Sequence, residues 1–443
     1  MAVDIHKTGN DGVGAAPGPL RFRFIGNACG IFMGSRGTQI LCDPWIVDGV
    51  FDGSWCHFPK LETRIEDLQG VDAIYVSHLH PDHFDERYFD FDRNMPLIVM
   101  DHPPNFLIRK LTGLGFTNLV RIRDKETVQF REFELTMHAP FAKHTFHEAT
   151  VGNLIDSALV FACEGVSALN ANDNVLTVDA ARMLRERHGE ITLAMLNYNA
   201  AGPYPSCFDN LTEDEKLLES ERILKRNFAH ARAIINELKP RFMLPFAGAY
   251  VLGGDLHPKN RYLGTATWDA CAQWLTEHGI APTRTVVLRE NDTLDIARGV
   301  ADRPYVPVDV DAMQRYIETE LAAIRYPYQT KPVPGKEALF ADIEAASHKL
   351  AERMGRLGMK PSFSVVLNAF GAKFQIYPSF RRLETTDGIE RLLECRLDER
   401  LLRMVLDRQS HWNNAENGGH VSYFRSPNTY EPDLHIGLQF FHL

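Results

Sequence analysis

The stretch His78-Leu-His80-Pro-Asp82-His83 constrains this chain more than any other part of it. It follows an apolar run, residues 73–76, that reads as a buried strand. On a strand His78 and His80 point to the same face, and a turn at Pro81 can bring Asp82 and His83 back toward them. Imidazoles and a carboxylate then converge at one strand end. Zinc, iron and manganese all accept that donor mixture, so the expected cofactor is a divalent metal, one ion or two. Asp82 is both a ligand and a candidate catalytic proton carrier.

Such a cluster is completed only by a fold that delivers side chains from several strand ends, and the flanking sequence supplies strands in number. Alternating or apolar runs predict strands over residues 20–25, 29–33, 39–42, 96–100, 119–122, 128–137, 156–162, 166–171, 191–196, 241–246 and 286–288. Helical patterns cover 65–68, 104–114 and 213–238. Many strands end in a polar residue ahead of a loop, which is how layered α/β folds assemble sites. Asp43 ends the third strand and is either a turn former or a carboxylate that orients a ligating His. His138, His144 and His147 follow the 128–137 strand, and each could add a ligand. Asp173 follows 166–171, Tyr198 follows 191–196, and His257 lies beyond 241–246. Tyr198 is either a proton donor or a buried structural tyrosine.

Prolines at 304, 307, 327, 332 and 334 mark a boundary. The expected division is a flexible tail over 1–19, a metal-binding domain over 20–300 and an accessory α+β domain over 301–443. In the last, helices are expected at 310–324, 339–354 and 399–406, with a hairpin at 363–377 turning at Gly371. The polar-aromatic stretch 411–416 is expected to cover the mouth of the site.

Composition narrows the function classes. A net charge of −10 argues against nucleic-acid and anionic-membrane partners. No run has the apolar length of a membrane span, and the N-terminus lacks a signal core, so a cytoplasmic protein is expected. The seven cysteines are odd in number and form no C-x-x-C pair, as in a reducing compartment. Arg121, Arg123, Lys143, Arg241, Lys259 and Arg261 could meet a phosphate-bearing small-molecule substrate. Lys259 and Arg261, close to His257, lead that group.

The signature His78-x-His80-x-Asp82-His83, with Asp43 before it and Asp173 and His257 after it, resembles the metallo-β-lactamase superfamily. Within it, Cys42-Asp-Pro-Trp45, residues 74–80, Pro245-Phe-Ala-Gly248 with His257-Pro258, and residues 293–298 are similar to the non-Rieske part of the CMP-N-acetylneuraminate hydroxylase family. The resemblance implies an α/β fold, an αββα sandwich followed by a smaller α+β domain. It implies one metal on His78, His80 and a later His, with His147 favoured over His144. A second would sit on Asp82, His83 and His257, with Asp173 bridging. It further implies an iron-dependent hydroxylase acting on a nucleotide sugar or N-acylated metabolite. The C-x-H and C-x-x-H ligands of a Rieske cluster do not occur in this sequence, and the stretch before residue 20 is short, so an external electron donor protein is expected. A metal-dependent hydrolase of a lactone, phosphoester or amide is the alternative, since hydrolysis needs only metal, water and a proton relay. A binding protein without turnover is the third reading, disfavoured by the intact ligand set.

Overall fold

The computed structural model describes residues 18–142 and 156–443. Its first sheet has eight strands, in the spatial order Val300–Ala301, Thr293–Asp295, Leu20–Gly26, Cys29–Gly34, Gln39–Cys42, Ala73–Tyr75, Leu97–Met100 and Leu119–Ile122. Pairing is antiparallel up to Gln39–Cys42 and parallel beyond it. The inner parallel strands Ala73–Tyr75 and Leu97–Met100 are apolar throughout, because helices cover one face and a second sheet the other. That second sheet has seven strands, ordered Arg284–Thr285, Phe242–Pro245, Leu193–Leu196, Val166–Asn170, Ala158–Cys163, Phe133–His138 and Thr127–Phe130.

The inner faces share a core that includes Phe22, Phe32, Tyr75, Phe133, Phe161 and Phe242. Phe32 and Phe161 stack across the sheets with centroids 3.9 Å apart. The outer face of the first sheet is covered by Phe106–Gly113 and the short turn Ile65–Leu68, through Leu107, Leu111 and Leu68. The outer face of the second sheet is covered by Val178–His188, Glu213–Leu238 and Trp268–Glu277, through Leu184, Ile235 and Cys271. Four layers result, helix–sheet–sheet–helix, the αββα sandwich that the resemblance implies.

Local details differ from the sequence reading. The run 128–137 is not one strand but a hairpin, because Arg131 takes the left-handed conformation (φ 52°) between Thr127–Phe130 and Phe133–His138. Residues 286–288 lie beyond a strand that ends at Thr285. The helix expected over 310–324 stops at Thr319 and gives way to a tighter turn at Leu321–Ala323. Among the described residues, no helix is long and apolar enough to cross a membrane.

Beyond the sandwich, a five-stranded sheet runs in the order Arg381–Leu383, Ala372–Tyr377, Ser364–Ala369, Leu392–Arg396 and Ser422–Ser426. Helices Lys336–Arg356 and Glu399–Leu406 pack on it in a buried cluster that also takes in Cys207 and Phe208 from the earlier part of the chain. The chain enters this region through Tyr326. Its ring lies in a socket made by two glycines with positive φ, Gly53 and Gly254: a Cβ on Gly254 would come within 2.6 Å of the ring, and one on Gly53 within 2.6 Å of Pro327. The Tyr326 hydroxyl donates to the Gly253 carbonyl (2.6 Å) and accepts from the Leu256 amide (2.9 Å).

Candidate metal centre

The site is built at one edge of the sandwich, where strands from both sheets end. Ala73–Tyr75 leads to Ser77 and His78, and Gln39–Cys42 leads to Asp43, whose positive φ of 40° turns its carboxylate back toward them. From the second sheet, Val166–Asn170 leads through Asn172, also at φ 40°, to Asp173; asparagine tolerates that conformation. The two sheets are tied here by Ser157. Its hydroxyl donates to the Ser77 carbonyl (2.8 Å), and its carbonyl accepts from Tyr75 Oη (2.9 Å) and Asn172 Nδ2 (2.8 Å).

Three imidazoles are oriented by hydrogen bonds on the ring nitrogen that faces away from the cluster. Asp43, fully buried, accepts from the Ser77 amide (2.8 Å), Ser77 Oγ (2.8 Å) and His83 Nδ1 (2.9 Å). Since Ser77 Oγ gives its proton to Asp43, the 2.9 Å contact with His78 Nδ1 has the histidine as donor. His80 Nε2 lies 3.0 Å from Asn413 Oδ1, which can only accept. Protons on those three atoms leave lone pairs on His78 Nε2, His80 Nδ1 and His83 Nε2. This is the arrangement that metal-bound histidines require.

The inward atoms converge. Asp173 Oδ2 is 3.4 Å from His83 Nε2 and 3.9 Å from His78 Nε2. Donor atoms of His78, His83 and Asp173 all lie within 4.8 Å of one another. Asp82 Oδ2 is 3.5 Å from His83 Nε2 and accepts from Asn27 Nδ2 at 3.3 Å. Asn27 is itself fixed through Oδ1 by the amides of Gly248 and Ala249. His78 Nε2 and His80 Nδ1 are 2.9 Å apart, where two lone pairs repel unless a cation or proton lies between them.

The polypeptide alone leaves this centre unsatisfied. His83 Nε2 and Asp82 Oδ1 are buried without a hydrogen-bond partner among the described residues, the 3.4–3.5 Å carboxylate contacts of His83 being long for one. Burial opposes charging the His83 ring, yet Asp82, Asp173 and Asp43 together hold its pKa well above the ordinary value. Burial, followed by the neighbouring His83 and His80 rings, pushes His78 well below its own. Burial also raises Asp43, against the pull of His83, while Asp173 is lowered because His83 and His80 outweigh its burial. A divalent cation at the convergence point satisfies the orphaned atoms and replaces the proton on His83. The donor set therefore fits a metal.

Of the residues singled out in the sequence, His78, His80, Asp82, His83 and Asp173 come together. His147, with His144 and Lys143, lies outside the described residues. His257 is not one of the three donors, His78, His83 and Asp173, that lie within 4.8 Å of one another; its Nδ1 is bound to the Gly254 carbonyl at 3.0 Å. Tyr198 lies in the core between the second sheet and its helices, with a buried hydroxyl that has no hydrogen-bond partner among the described residues. Residues 194, 196 and 198 share the outward face of their strand, away from the cluster. Lys259 Nζ donates to the Gly419 carbonyl (2.8 Å) and lies 3.2 Å from Cys207 Sγ. Arg261 is exposed and pairs with Glu213 at 3.6 Å. Arg121 pairs with Asp101 and Arg241 with Glu190, and His138 Nε2 meets His188 Nε2 at 3.0 Å.

Three residues of the site escaped the sequence reading. Asp156 brings Oδ1 to 3.8 Å from His78 Nε2, and its side chain is far less exposed than that of Asp173 (6% against 30%). Asp156 was legible only as the polar start of a strand. Ser77 and Asn27 carry no local signal, being ordinary polar residues beside turns, whereas Asn413 belongs to the stretch 411–416 expected at the mouth of the site and meets His80 there.

No family model matches the chain. It is 32% identical over 229 residues to a protein of Mycolicibacterium smegmatis named as a Rieske 2Fe-2S iron-sulfur protein, an alignment covering 51% of this chain and 42% of that one. It is 24% identical over 263 residues to the cytidine monophosphate-N-acetylneuraminic acid hydroxylase of Mus musculus, covering 56% and 41%. The chain thus spans less than half the length of these two relatives. Among solved structures, a possible metal-dependent hydrolase of Veillonella parvula aligns at 15% identity over 63% of this chain and 100% of that one, with a TM-score of 0.46. CmlA, a diiron β-hydroxylase of Streptomyces venezuelae, aligns at 18% identity over 63% and 54%, with a TM-score of 0.42. With its αββα layers and its His-x-His-x-Asp-His strand end, the chain is similar to the metallo-β-lactamase superfamily and, in sequence, to CMP-N-acetylneuraminate hydroxylases.

Proposed function

We propose that this chain is the metal-binding catalytic unit of a hydroxylase, acting on a phosphate-bearing or N-acylated small molecule such as a nucleotide sugar. The observation that carries the reading is the convergence of His78, His83 and Asp173 in a chain whose sequence is similar to a known hydroxylase. His78, His80 and Asp156 would hold one ion, Asp156 Oδ1 lying 3.8 Å from His78 Nε2. Asp82 and His83 would hold a second, with Asp173 between the two. Three imidazoles, three carboxylates and no thiolate suit iron, with manganese and zinc as the other candidates.

The metal, when bound, supplies dioxygen activation. The polypeptide's part is orientation and proton handling. Asp43 and Ser77 fix the rings of His78 and His83, and Asn27 fixes Asp82. Asp82 Oδ1, buried and unpartnered among the described residues, is the atom placed to take up or return a proton at the reacting centre. Hydroxylating a C–H bond with dioxygen consumes two further electrons and two protons and releases one water. The sequence holds no Rieske ligand pattern, so those electrons would come from an iron–sulfur or equivalent carrier outside these residues.

The test is isotopic. The protein is loaded with iron and supplied with CMP-N-acetylneuraminate, a reductase, an iron–sulfur carrier and ¹⁸O₂. One ¹⁸O per product and no anaerobic turnover support the hydroxylase. Oxygen taken from H₂¹⁸O, with turnover undiminished without dioxygen, establishes a hydrolase instead.

A further inference from the structure

The C-terminal segment reaches into the metal centre from 333 residues away, through Asn413 Oδ1 on His80 Nε2. We infer that Asn413 is a positioning residue of that centre: it sets the tautomer of His80 and so presents Nδ1 as the ligating atom. This rests on the metal reading above.

The Asn413 amide is oriented together with its neighbour Asn417. Asn417 Nδ2 donates to the same oxygen at 3.3 Å, one turn along the short helix Trp412–Asn417. The two amides form one consistent donor–acceptor pair, with the Asn413 oxygen shared between His80 and Asn417. With its oxygen toward His80, Asn413 accepts a proton that must sit on Nε2, and the lone pair is left on Nδ1, 2.9 Å from His78 Nε2. Without this acceptor, the metal-free ring would gain more from the opposite tautomer. His80 Nδ1–H would donate to His78 Nε2, and that bond would block two ligand positions with one proton. Asn413 thus selects against the self-bonded state of the two histidines.

The segment is held firmly enough to do this. Ser410 Oγ donates to Asp52 Oδ2 (2.8 Å), Trp55 Nε1 donates to the Asn417 carbonyl (3.0 Å), and His420 Nε2 donates to the Phe51 carbonyl (3.0 Å). Gly418 lies so close that a Cβ there would come within 2.6 Å of the Phe51 oxygen. Trp412, fully buried, roots the helix in the C-terminal core. Residues 51–55 and 410–420 therefore behave as one clamp beside His80. Outer partners of metal-bound histidines commonly contribute 10- to 100-fold in affinity, about what Asn413 should supply.

The experiment uses the full chain and two variants. N413L keeps the approximate size and removes the acceptor, whereas N413D keeps an acceptor. Affinity is read by titrating the metal-free proteins with Zn(II) and Co(II) against a chromophoric chelator. The expected result is a loss of about 10- to 100-fold for N413L, with N413D within about threefold of the parent. Nitrogen-15 spectra of the metal-free parent, with His80 identified from an H80Q spectrum, should show the proton on Nε2. In N413L it should move to Nδ1. A parent whose metal-free His80 is protonated on Nδ1 overturns the inference, even if N413L does not fold, and so does N413L binding as tightly as the parent. If the parent binds neither metal while His80 carries its proton on Nε2, the metal reading fails and the control of the tautomer by Asn413 stands.

Discussion

Replacing Asp43 by asparagine tests the orientation of the histidines most sharply. Asp43 accepts from the Ser77 amide through Oδ1 and from Ser77 Oγ and His83 Nδ1 through Oδ2. A backbone N–H can only donate, so in D43N the amide oxygen must stay on Ser77 N. The NH₂ then takes the place of Oδ2. Ser77 Oγ can turn and accept from it, but His83 Nδ1 now faces a donor and must lose its proton. The ring is left with its proton on Nε2 alone, the atom that points at Asp82 and Asp173, whereas in the parent Nδ1 keeps its proton when a metal displaces the one on Nε2. Metal binding must then pay for reversing that tautomer against a fixed donor, which places the loss at the upper end of the 10- to 100-fold range, about 3 kcal/mol. Stability should change little, by about 1 kcal/mol, because a carboxylate disfavoured by burial is exchanged for a neutral group of the same shape. D43A is a poorer probe: it orphans the Ser77 amide and His83 Nδ1 at about 1–3 kcal/mol each and confounds affinity with unfolding. The assay is chelator competition with Zn(II), beside thermal melting of the metal-free protein. D43N with unchanged melting and zinc affinity within about twofold of the parent would refute the tautomer reasoning.

Other perturbations separate the roles of neighbouring residues. If Asp173 bridges two ions, D173A should purify with about half the metal of the parent or less, whereas D156A should weaken the ion on His78 and His80; elemental analysis after dialysis reads both. Y198F should leave turnover unchanged and raise the melting point, since it deletes a buried hydroxyl that has no partner among the described residues, a gain of up to about 1 kcal/mol. Burial holds His420 down at about 4, below its ordinary 6.5, so the unfolded chain binds a proton through that window and the folded chain does not. Its contribution to stability is full above about pH 6.5 and falls as pH drops toward 4. Burial raises Asp52 to about 6, an opposite slope from 3.8 upward, and the two partly cancel in the parent. The comparison is therefore with H420Q: the parent should lose on the order of 3 kcal/mol relative to it between pH 7 and pH 4, and parallel denaturation curves would refute the assignment.

Much of the sandwich was legible because its signals are local. Apolar runs gave the strands, and the strand end at residues 78–83 carries several ligands in a few consecutive positions, so spacing alone could disclose it. What failed to show had, with one exception, no local cause. The helix Val178–His188 buries only Ala180, Ala181 and Leu184, too few for a clear periodic stripe. One break was local: the adjacent polar residues Arg131 and Glu132 shift the apolar phase from Val128 and Phe130 to Phe133, Leu135 and Met137, and the hairpin turns there. Tyr198 and Lys259 were read from proximity in sequence to strand ends and to His257. Yet side-chain direction decides their roles: alternation turns Tyr198 outward, and Lys259 is drawn to the Gly419 carbonyl. Asn413 lies between these cases: residues 411–416 were expected at the mouth of the site, but only the folded chain relates Asn413 to His80.

The Tyr326 socket bears on how this protein can be cut or recombined. Gly53 belongs to the sandwich segment beside the metal centre, Gly254 follows its last long strand pair, and the ring between them comes from the chain leading into the five-stranded sheet. Severing the chain near residue 300 would leave a slot shaped for an aromatic side chain, floored by backbone and too tight for substitutes with a Cβ on either glycine. The Gly253 carbonyl and Leu256 amide would lose their shared partner as well. A split protein is better divided after the socket is filled, beyond Thr330, so that wedge and slot stay together in the first fragment. Grafting a foreign C-terminal module would likewise demand a tyrosine at the junction before any other match in sequence.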